Sequence, residues 1–596
     1  MPEIRINGQS VTAREDDSIL SAARRAGLRI PTLCNLPGLE ATGACRVCMV
    51  EVEGAPRTLA ACATPVREGM VVRSNSPRAR SARRAVVELL LSEHEGDCKT
   101  CARSEDCELQ DIAASLGIRS VSFEGERPPR LVDASTEALI RETAKCIRCR
   151  RCVTVCNAVQ EVGALGVQNR GFATVMGPAF ANNLDTTRCV QCGQCAAVCP
   201  VGAITELQHT EDVWTALDDP EKTVVVQTAP AIRASLGELF GYPPGTRVTG
   251  KMVSALRALG FDAVFDTNFT ADLTIMEEAS ELLERLKRTL VEGEKAALPQ
   301  FTSCSPGWIN YAEHFYPQFL PNLSSCKSPQ QMFGALAKSY YAEQLGKSPE
   351  EIVVVSVMPC TAKKFEAARP EMSDSGVRDV DYVLTTRELG ELIRQGGIDF
   401  RELPDGEMDA PLGISTGAAD IFANTGGVME AALRTAHAVV TGRALATPQL
   451  HLESLRGLEG VKEAELVIHG ALPEWKFLEG VTVRVAVAHG LGNARAVLDA
   501  LERGEREYHF VEIMTCPGGC IGGGGQPRLT DDAVREARIG AIYAEDESRP
   551  LRMSHENPAV QKLYEDFLGA PLGHRSHELL HTSYRRRRNL LEIAGG

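Results

Sequence analysis

Cysteines in tight, regularly spaced groups are the residues of this sequence best suited to chemistry. The chain has 20 cysteines in 596 residues, and fifteen of them precede residue 200. The spacing C-x2-C-x2-C-x3-C occurs twice, in Cys146, Cys149, Cys152 and Cys156 and again in Cys189, Cys192, Cys195 and Cys199. It is the spacing of bacterial ferredoxins with two [4Fe–4S] clusters, in which the fourth cysteine of each copy ligates the other cluster. We therefore expect one cluster on Cys146, Cys149, Cys152 and Cys199 and one on Cys189, Cys192, Cys195 and Cys156.

A second group of cysteines stands near the N-terminus. It has the spacing C-x10-C-x2-C-x13-C in a loop rich in glycine and small residues, and its members are Cys34, Cys45, Cys48 and Cys62. Before it, residues 1–13 alternate apolar and polar around Asn7-Gly8, which predicts a β-hairpin, and Ser18 and Gly27 can cap and end a helix. This order predicts a β-grasp ferredoxin-like domain with a [2Fe–2S] cluster, although the spacing departs from the plant-type pattern. A structural zinc site is the alternative.

A third group combines one histidine with three cysteines. The pattern H-x3-C-x2-C-x5-C lies between two predicted helices of residues 79–118 and is formed by His94, Cys98, Cys101 and Cys107. One imidazole and three thiolates can hold zinc or a [4Fe–4S] cluster, and the pattern alone does not separate the two. The position of the group between other predicted cluster sites favours the iron–sulfur cluster.

The C-terminal part has five cysteines, four of them in three short segments. The segments are residues 302–308 with Cys304, residues 358–366 with Cys360, and residues 512–520 with Cys516 and Cys520. The second and third segments each follow an apolar run that reads as a strand. Because the carboxyl ends of parallel strands meet in one crevice of an α/β fold, we expect these cysteines to lie together. The fifth, Cys326, is expected to be a small buried residue.

The length and the hydrophobic pattern of the chain predict the elements that would position these residues. A chain of 596 residues is too long for one hydrophobic core, so several domains are expected. After residue 220, apolar strand runs at 223–226, 352–357, 483–487 and 510–513 alternate with helical stretches such as 277–290 and 494–503. This alternation predicts an α/β domain of two lobes with mainly parallel sheets, preceded by α+β ferredoxin-like iron–sulfur domains. The expected domain boundaries are 1–78, 79–118, 137–210 and 220–585.

The three C-terminal segments resemble the signature motifs of the [FeFe]-hydrogenases. The resemblance covers nearly the whole chain, including the order of the N-terminal cluster groups, and is closest to large subunits of NAD(P)-linked, often electron-bifurcating, hydrogenases. It implies reversible H2 oxidation and proton reduction at an H-cluster. This cofactor is a [4Fe–4S] cubane joined through a cysteine sulfur to a two-iron subcluster with CO, cyanide and azadithiolate ligands. One [2Fe–2S] and three accessory [4Fe–4S] clusters would carry the electrons.

The resemblance also implies roles for single residues. Cys360, Cys516 and Cys520 match ligands of the cubane, and Cys520 matches the cysteine that bridges to the two-iron unit. Lys363 matches a lysine that hydrogen-bonds a cyanide, and a fixed cation beside an anionic ligand makes a strong charge-assisted bond. The positions that match other groups lining the same cavity are Pro230, Gln330, Met358 and Met514.

The first segment departs from the family pattern, which commonly has two adjacent cysteines. Here Cys304 keeps the position of the proton-relay cysteine, and Ser305 stands where the second cysteine ligates the cubane. Either Ser305 ligates iron as an alkoxide, a harder and poorer ligand, or Cys304 shifts to ligate the cubane and leaves Ser305 near the proton path. The sequence leaves both alternatives open. The residues that match the family's proton path are Cys304, Glu278, Ser324 and Glu281, and the two glutamates can share one helix face.

Charge and the N-terminus bear on partners and location. The net charge of −15 argues against nucleic acid as the main partner. No signal segment and no apolar run long enough to span a bilayer is evident, so we expect a cytoplasmic protein. No flavin or nicotinamide site is evident either, so electrons are expected to pass to flavin- and NAD(P)-binding subunits of a hetero-oligomer or to a ferredoxin. The alternatives are a non-catalytic electron-transfer subunit, and a hydrogen sensor or iron–sulfur assembly factor on the same fold.

Overall fold

The structure is a computed structural model that describes residues 1–127, 129–443, 455–528 and 530–587. Its N-terminal elements are β1 (Glu3–Ile6), β2 (Gln9–Thr12), α1 (Ile19–Arg25), β3 (Met49–Val52), β4 (Leu59–Ala60) and β5 (Val71–Arg73). The strands form one sheet in the order β2-β1-β5-β3-β4. The expected hairpin is confirmed, because β1 and β2 pair antiparallel on either side of Asn7-Gly8. Ser18 caps α1 as predicted, with its side chain accepting from the N–H of Ser21.

Two helices follow the N-terminal sheet, α2 (Pro77–Glu93) and α3 (Glu108–Ser115). Ser76 begins α2 by accepting from the N–H of Ala79, with a proline at the first helical position. His94 is the residue that ends α2, and Cys107 is the residue from which α3 begins. The histidine and the three cysteines therefore lie on the connection between the helices, where the backbone is free to follow a bound group.

The internal repeat appears as two short helices with matching backbone geometry. The elements of this part are β6 (Val132–Asp133), β7 (Leu139–Glu142), α4 (Arg151–Thr154), β8 (Gly166–Gln168), β9 (Val175–Gly177), α5 (Gln194–Val198) and β10 (Ile204–Glu206). The residue before each helix, Arg150 and Gly193, is left-handed, with φ of 67° and 71°. Only the second copy requires a glycine, because a Cβ on Gly193 would overlap the side chain of Thr361. The second copy is thus the one that packs against the C-terminal domain.

Two four-stranded sheets form the C-terminal part. The strands are β11 (Thr223–Thr228), β12 (Ala263–Asp266), β13 (Gln300–Phe301), β14 (Ile352–Met358), β15 (Tyr382–Thr385), β16 (Val461–Val467), β17 (Thr482–His489) and β18 (Phe510–Met514). The first sheet has the order β12-β11-β14-β15 and is parallel throughout. The second has the order β13-β18-β17-β16, with β16 as an antiparallel edge strand. The expected α/β architecture with mainly parallel sheets is confirmed, and each predicted strand is present.

Helices cover both sheets. They are α6 (Thr210–Leu217), α7 (Thr249–Ala258), α8 (Thr267–Leu290), α9 (Pro306–Phe315), α10 (Pro329–Leu336), α11 (Ala342–Leu345), α12 (Ala362–Ala367), α13 (Thr386–Gln395), α14 (Gly417–Asp420), α15 (Gly427–Thr441), α16 (Leu491–Glu502), α17 (Asp532–Ser548), α18 (Pro558–Leu563) and α19 (His574–Leu580). Within the described ranges, none of the helices combines the length and the apolar character that crossing a membrane requires.

Helix α8 packs between the hydrophobic cores of the two sheets. Phe269 and Leu273 join the core of the first sheet, whereas Ile275 and Leu282 join the core of the second. A helix packed on both sides carries its polar residues into the interior as well. The carboxyl groups near the middle of α8 are therefore buried, and their surroundings decide what they do.

Candidate active site and cluster sites

A cavity of about 750 Å³ lies at the carboxyl ends of strands from both C-terminal sheets. The residues that follow β13, β14 and β18 reach it, so the three cysteine segments predicted to meet are brought together. All ten residues that the sequence placed at the centre of the site line this cavity: Pro230, Cys304, Ser305, Gln330, Met358, Cys360, Lys363, Met514, Cys516 and Cys520. Segments more than 200 residues apart in the chain thus form one wall.

The thiol groups of this cavity suit an iron–sulfur cluster. Burial raises the pKa of the Cys360, Cys516 and Cys520 thiols above the usual value, and the charge of Cys360 adds to the rise at the other two. Buried thiols in such a group lose their protons when cations neutralise the thiolates, and iron supplies that charge. The donor set therefore fits the cubane that the family resemblance implies.

Ser305 and Cys304 both reach the cavity wall but have different contacts. The Ser305 hydroxyl lies 2.8 Å from Thr515 Oγ1 and accepts from the N–H of Thr515 at 3.3 Å. The main-chain oxygen of Cys304 accepts from Lys363 Nζ at 3.1 Å. Burial, and then the charge of Glu278, raises the pKa of the Cys304 thiol well above its usual value. Neither contact removes Ser305 or Cys304 from the cavity, so both alternatives for the fourth ligand are compatible with the geometry.

A buried carboxylate holds Lys363 in place. Lys363 Nζ donates to Glu366 Oε2 at 2.9 Å, and Ser328 Oγ donates to the same oxygen at 2.9 Å. Gln330 Nε2 also donates to it, at 3.1 Å. An ammonium has three donors, and Glu366 and the Cys304 carbonyl use two, which leaves the third for the cavity. Glu366 had no role in the sequence analysis, although its position three residues after Lys363 on a helix is a usable signal.

The four residues of the predicted proton path form a line from the cavity towards the surface. Ser324 Oγ donates to Glu281 Oε2 at 2.7 Å and is also a hydrogen-bonding neighbour of Glu278. Burial, reinforced by the charge of Glu281, raises the pKa of Glu278 to about 8. At the outer end, Arg285 donates to Glu281 Oε1 at 2.6 Å. A neutral Glu278 can donate to Ser324, which in turn donates to Glu281, so the geometry suits a proton relay.

Two further cavities separate the eight cysteines of the repeat into two groups of four. The first, of about 390 Å³, is lined by Cys146, Cys149, Cys152 and Cys199. The second, of about 380 Å³, is lined by Cys156, Cys189, Cys192 and Cys195. Each group takes three cysteines from one copy and the fourth from the other, which is the exchange that the spacing predicts. Burial raises the pKa of Cys149 at the first site and of Cys189 at the second, as it does for cysteines of the large cavity.

The second of these cavities adjoins the large one. Cys192 and Cys516 lie close enough for the charge of Cys516 to raise the pKa of the Cys192 thiol, after burial. Two hydrogen bonds join the second copy of the repeat to the C-terminal part. Thr361 Oγ1 donates to the Gln191 carbonyl at 2.8 Å, and Gln194 Nε2 donates to the Gly522 carbonyl at 2.9 Å. The second copy of the repeat is therefore the one positioned to exchange electrons with the large cavity.

The four N-terminal cysteines converge on one buried site. Cys34 shares hydrogen-bond contacts with Cys45 and Cys62, and Cys48 shares one with Cys62. The main-chain N–H of Leu33 points at Cys45 Sγ, at 3.4 Å. Sulfur atoms that receive N–H groups and face one another provide the surroundings that an iron–sulfur cluster needs.

The histidine group has an unpaired ligand atom. His94 Nδ1 is buried and has no hydrogen-bond partner within the described ranges, which fits an atom that binds a metal. Cys101 faces Gly202, where a Cβ would overlap its sulfur, and Cys107 lies 3.8 Å from the Pro200 carbonyl.

Five protein-family models match consecutive parts of the chain. "Iron only hydrogenase large subunit, C-terminal domain" matches residues 222–524, and "Iron hydrogenase small subunit" matches residues 532–587. Towards the N-terminus, the matches are "2Fe-2S iron-sulfur cluster binding domain" over 2–77, "NADH-ubiquinone oxidoreductase-G iron-sulfur binding region" over 83–122 and "4Fe-4S dicluster domain" over 145–203. Domains of both cluster types are therefore present, in the order expected.

Curated relatives match the chain over nearly its whole length. The NADP-reducing hydrogenase subunit HndD of Solidesulfovibrio fructosivorans is 52% identical over 99% of this chain and 100% of its own. Iron hydrogenase 1 of Clostridium pasteurianum is 41% identical over 98% of this chain and 100% of its own. A cytosolic Fe-S cluster assembly factor of Danio rerio is 32% identical over 63% of this chain and 89% of its own.

Solved structures match about two thirds of this chain. A variant of [FeFe]-hydrogenase HydA1 from Chlamydomonas reinhardtii is 46% identical, with a TM-score of 0.58. The match covers 64% of this chain and 99% of that one. The catalytic fold is therefore shared, and the N-terminal cluster domains are additional to it.

Proposed function

This chain belongs to the iron-only hydrogenase large subunits, and from that premise we propose that the cavity lined by Cys360, Cys516 and Cys520 holds an H-cluster. As a member of this family, the chain is an oxidoreductase that acts on H2. The observation that carries the proposed site is the convergence of three distant cysteine segments on one cavity. When bound, the H-cluster supplies the irons at which protons and electrons are interconverted with H2.

Three cysteines are proposed to hold the cubane. They are Cys360, Cys516 and Cys520, with Cys520 bridging to the two-iron unit. The fourth position falls to Cys304 or Ser305, which both line the cavity. A thiolate is the softer ligand and suits iron in a cluster, whereas an alkoxide at Ser305 is the harder ligand and could still accept from Thr515.

The other residues of the site orient ligands and move protons. Lys363, fixed by Glu366, presents its third donor to an anionic ligand in the cavity. Met358 and Met514 cover the apolar wall, and a thioether adapts to an irregular surface. Protons are proposed to travel along Cys304, Glu278, Ser324 and Glu281, since Cys304 is near enough to Glu278 to feel its charge and Ser324 hydrogen-bonds both glutamates.

Electrons are proposed to enter through two accessory sites that meet at one cluster. The N-terminal site is close to the first cavity of the repeat, because the charge of Cys45 is felt at Arg151 beside Cys149. The histidine site is close as well, because Arg103 donates to the Cys199 carbonyl and Cys107 contacts Pro200. From there the second cavity leads to Cys516. We propose one [2Fe–2S] and three [4Fe–4S] clusters along this route.

A multi-subunit complex is the proposed setting. The relative HndD is named as a subunit of an NADP-reducing hydrogenase, and the model that matches residues 83–122 is named for a subunit of NADH-ubiquinone oxidoreductase. We propose that flavin- and NAD(P)-binding partner subunits exchange electrons with this chain, with ferredoxin as the second candidate. Purifying the native complex and measuring H2-dependent reduction of NADP⁺, NAD⁺ and ferredoxin separates these carriers. The cytoplasmic location stays a prediction.

A single preparation tests the proposed function. The chain is produced together with the H-cluster assembly machinery, and H2 evolution from reduced viologen is measured alongside infrared spectra. We expect turnover together with the infrared bands of CO and cyanide. A matched preparation of Cys520→Ser, which removes the proposed bridging ligand, should lose both. A folded wild-type chain that contains its accessory clusters but shows neither turnover nor these bands would support a non-catalytic electron-transfer role instead.

A further inference from the structure

His581, near the C-terminus, lies close to Glu281, the outermost residue of the predicted proton path. His581 directly follows α19 and is buried, with 7% of its surface exposed. Its Nδ1 lies 2.8 Å from Ser325 Oγ, and its Nε2 lies 3.2 Å from Glu277 Oε2. The main-chain N–H of Ser325 in turn points at both carboxylate oxygens of Glu281, at 3.2 and 3.3 Å. A single residue therefore separates the last glutamate of the line from an imidazole.

The surroundings of Glu277 decide which nitrogen of His581 carries the proton. Tyr564 and Ser576 donate to Glu277 at 2.6 and 2.7 Å, and the N–H of Leu572 donates at 2.8 Å. Burial opposes ionisation of Glu277, but these hydrogen bonds and that from His581 outweigh it and lower its pKa. An ionised carboxylate only accepts, so Nε2 of His581 must donate to it. Nδ1 is then left to accept the hydroxyl proton of Ser325.

A second histidine extends the line to solvent. His577 lies one turn before His581, and the two ring centroids are 4.2 Å apart. His577 is exposed at the surface of α19, so one end of the pair faces water and the other faces Ser325. Residues four apart on a helix lie on the same face, which accounts for the contact.

Arg285, the other neighbour of Glu281, cannot relay a proton. Arg285 is bound to Glu281, but a guanidinium stays protonated at all relevant pH values and has no lone pair to accept a proton. An imidazole both accepts and releases a proton near neutral pH. The groups in contact with the His581 side chain are the carboxylate of Glu277, the hydroxyl of Ser325 and the ring of His577.

We propose that Ser325, His581 and His577 form the solvent-side section of the proton route and connect Glu281 to bulk water. The inference rests on the proposed function. In the outward direction, the O–H bond of the Glu281 carboxyl group breaks as Ser325 Oγ accepts the proton, directly or through one water. The original hydroxyl proton of Ser325 passes to Nδ1 of His581. The imidazolium then gives this proton through water to the ring of His577, which releases a proton to the solvent, so that both rings return to the neutral form. The inward direction reverses each transfer, so no proton is gained or lost.

Conservative variants of the matured, cluster-loaded protein test this route. His581→Gln keeps a group that can donate to Glu277 and accept from Ser325, but it cannot titrate. His577→Gln removes the exposed ring, and His574→Gln is the matched control on the same helix, where the side chain is exposed. We expect His581→Gln to lower H2 turnover roughly tenfold or more, less than the loss of a group that protonates the reacting atom. His577→Gln should lower turnover by less, and the control should match the wild type.

Three further measurements separate a relay from a structural support. The solvent isotope effect should rise and the pH profile of turnover should change in His581→Gln, while thermal unfolding and the CO and cyanide bands stay unchanged. Added imidazole should restore turnover to His577→Ala. Infrared difference spectra of the carboxyl region should show Glu278 re-equilibrating more slowly after a pH jump. None of these changes follows from loss of packing.

Two outcomes would overturn the route. One is a His581→Gln protein with intact infrared bands, wild-type turnover and an unchanged pH profile. The other is loss of turnover in Arg285→Gln while both histidine variants remain at the wild-type level, which would place the exit at Arg285. Both require an active wild-type chain, whereas an inactive wild-type chain would count against the proposed function itself.

Discussion

Glu277 and Glu278 are neighbours in α8, yet they lie in two regions that differ in the number of hydrogen-bond donors around the carboxyl group. Glu277 faces the C-terminal segment, where four groups donate to its carboxylate, and its pKa is lowered. Glu278 faces the proton line, where its Oε1 has no hydrogen-bond partner in the described part of the chain, and its pKa is raised to about 8. Both are buried, so burial alone does not set the charge of a carboxyl group. The number of donors around it decides.

The difference assigns the two residues different tasks. A carboxylate with all its acceptor sites filled holds elements together, and Glu277 ties α8 to Tyr564, Ser576 and His581. A carboxyl group that is nearly balanced between its two protonation states can take up and release a proton, and Glu278 is in that condition. One turn of one helix thus has a stabilising carboxylate on one face and a carboxyl group suited to the proposed proton transfer on the other.

The largest expected effect is on turnover, from Glu278→Gln. Glutamine has nearly the same shape and replaces a group that is neutral below about pH 8, so the fold should persist. It cannot release a proton, so H2 turnover should fall by about 10² to 10⁴. The control is Glu284→Gln, a half-exposed position on the same helix. Wild-type turnover in Glu278→Gln would show that protons bypass this residue.

The second effect is on stability, from Glu277→Gln. The side-chain amide nitrogen of the new glutamine cannot accept a hydrogen bond, so at least one donor that now binds the Glu277 carboxylate would lose its partner. Leaving one buried donor unpaired costs about 1–3 kcal/mol. We expect the thermal transition of the C-terminal domain to move down by several degrees, with turnover reduced less than in Glu278→Gln. Calorimetry of the two variants side by side measures the contrast. Equal stability of the two would contradict the structural role assigned to Glu277.

The third effect is a pair of opposite pH dependences. Because the folded pKa of Glu278 is raised, its contribution to stability is complete below about pH 4.5 and is lost as the pH rises towards about 8. Because the folded pKa of Glu277 is lowered, its contribution is present above about pH 4.5 and is lost as the pH falls through the lower value. The free energy of unfolding of the wild type should decline between pH 5 and 8, and this decline should be smaller in Glu278→Gln. In Glu277→Gln, the pH dependence of the free energy of unfolding should change on the acid side instead. Identical pH profiles for the two variants would contradict the different charge states assigned to Glu277 and Glu278.

The smallest effect is expected from Ser305→Cys, which restores the adjacent pair of cysteines common in the family. The fold should be unchanged, because a thiol is close in size to the hydroxyl. If Ser305 ligates the cubane, the redox potential or the magnetic spectrum of the H-cluster should shift. An unchanged spectrum would favour Cys304 as the ligand. Thr515→Val serves as the control, since it removes the hydroxyl that contacts Ser305 without altering either candidate ligand.

Much of the fold was accessible from local patterns. The Asn7-Gly8 hairpin, the Ser18 cap and the apolar strands of both C-terminal sheets are all present. Their boundaries differ by a few residues, as at β17, which begins at Thr482 and ends at His489. Turn chemistry, capping and burial on both faces of a strand act over a few residues, so a short stretch of sequence contains the information.

The protonation of the buried glutamates could not be predicted from local patterns. Glu278 and Glu281 were predicted from a motif and from their spacing, but nothing in the local sequence distinguishes Glu277 from Glu278. The donors that do so, including Tyr564 and His581, lie 287 and 304 residues further along the chain. Glu366, which fixes Lys363, was missed because its contact with Ser328 and Gln330 joins two separate helices.

The sequence by itself determined which cysteines form groups, because short spacings between successive ligands limit what the backbone can bring together. It also determined the exchange of the fourth cysteine between the two copies, and the structure arranges the eight thiols in that way. Only the tertiary structure decided that Cys192 meets Cys516, that His94 presents an unpaired nitrogen, and that the C-terminal segment reaches the proton line. These facts depend on the packing of distant elements, and packing sets burial, charge and hydrogen bonding, which no short stretch of sequence contains.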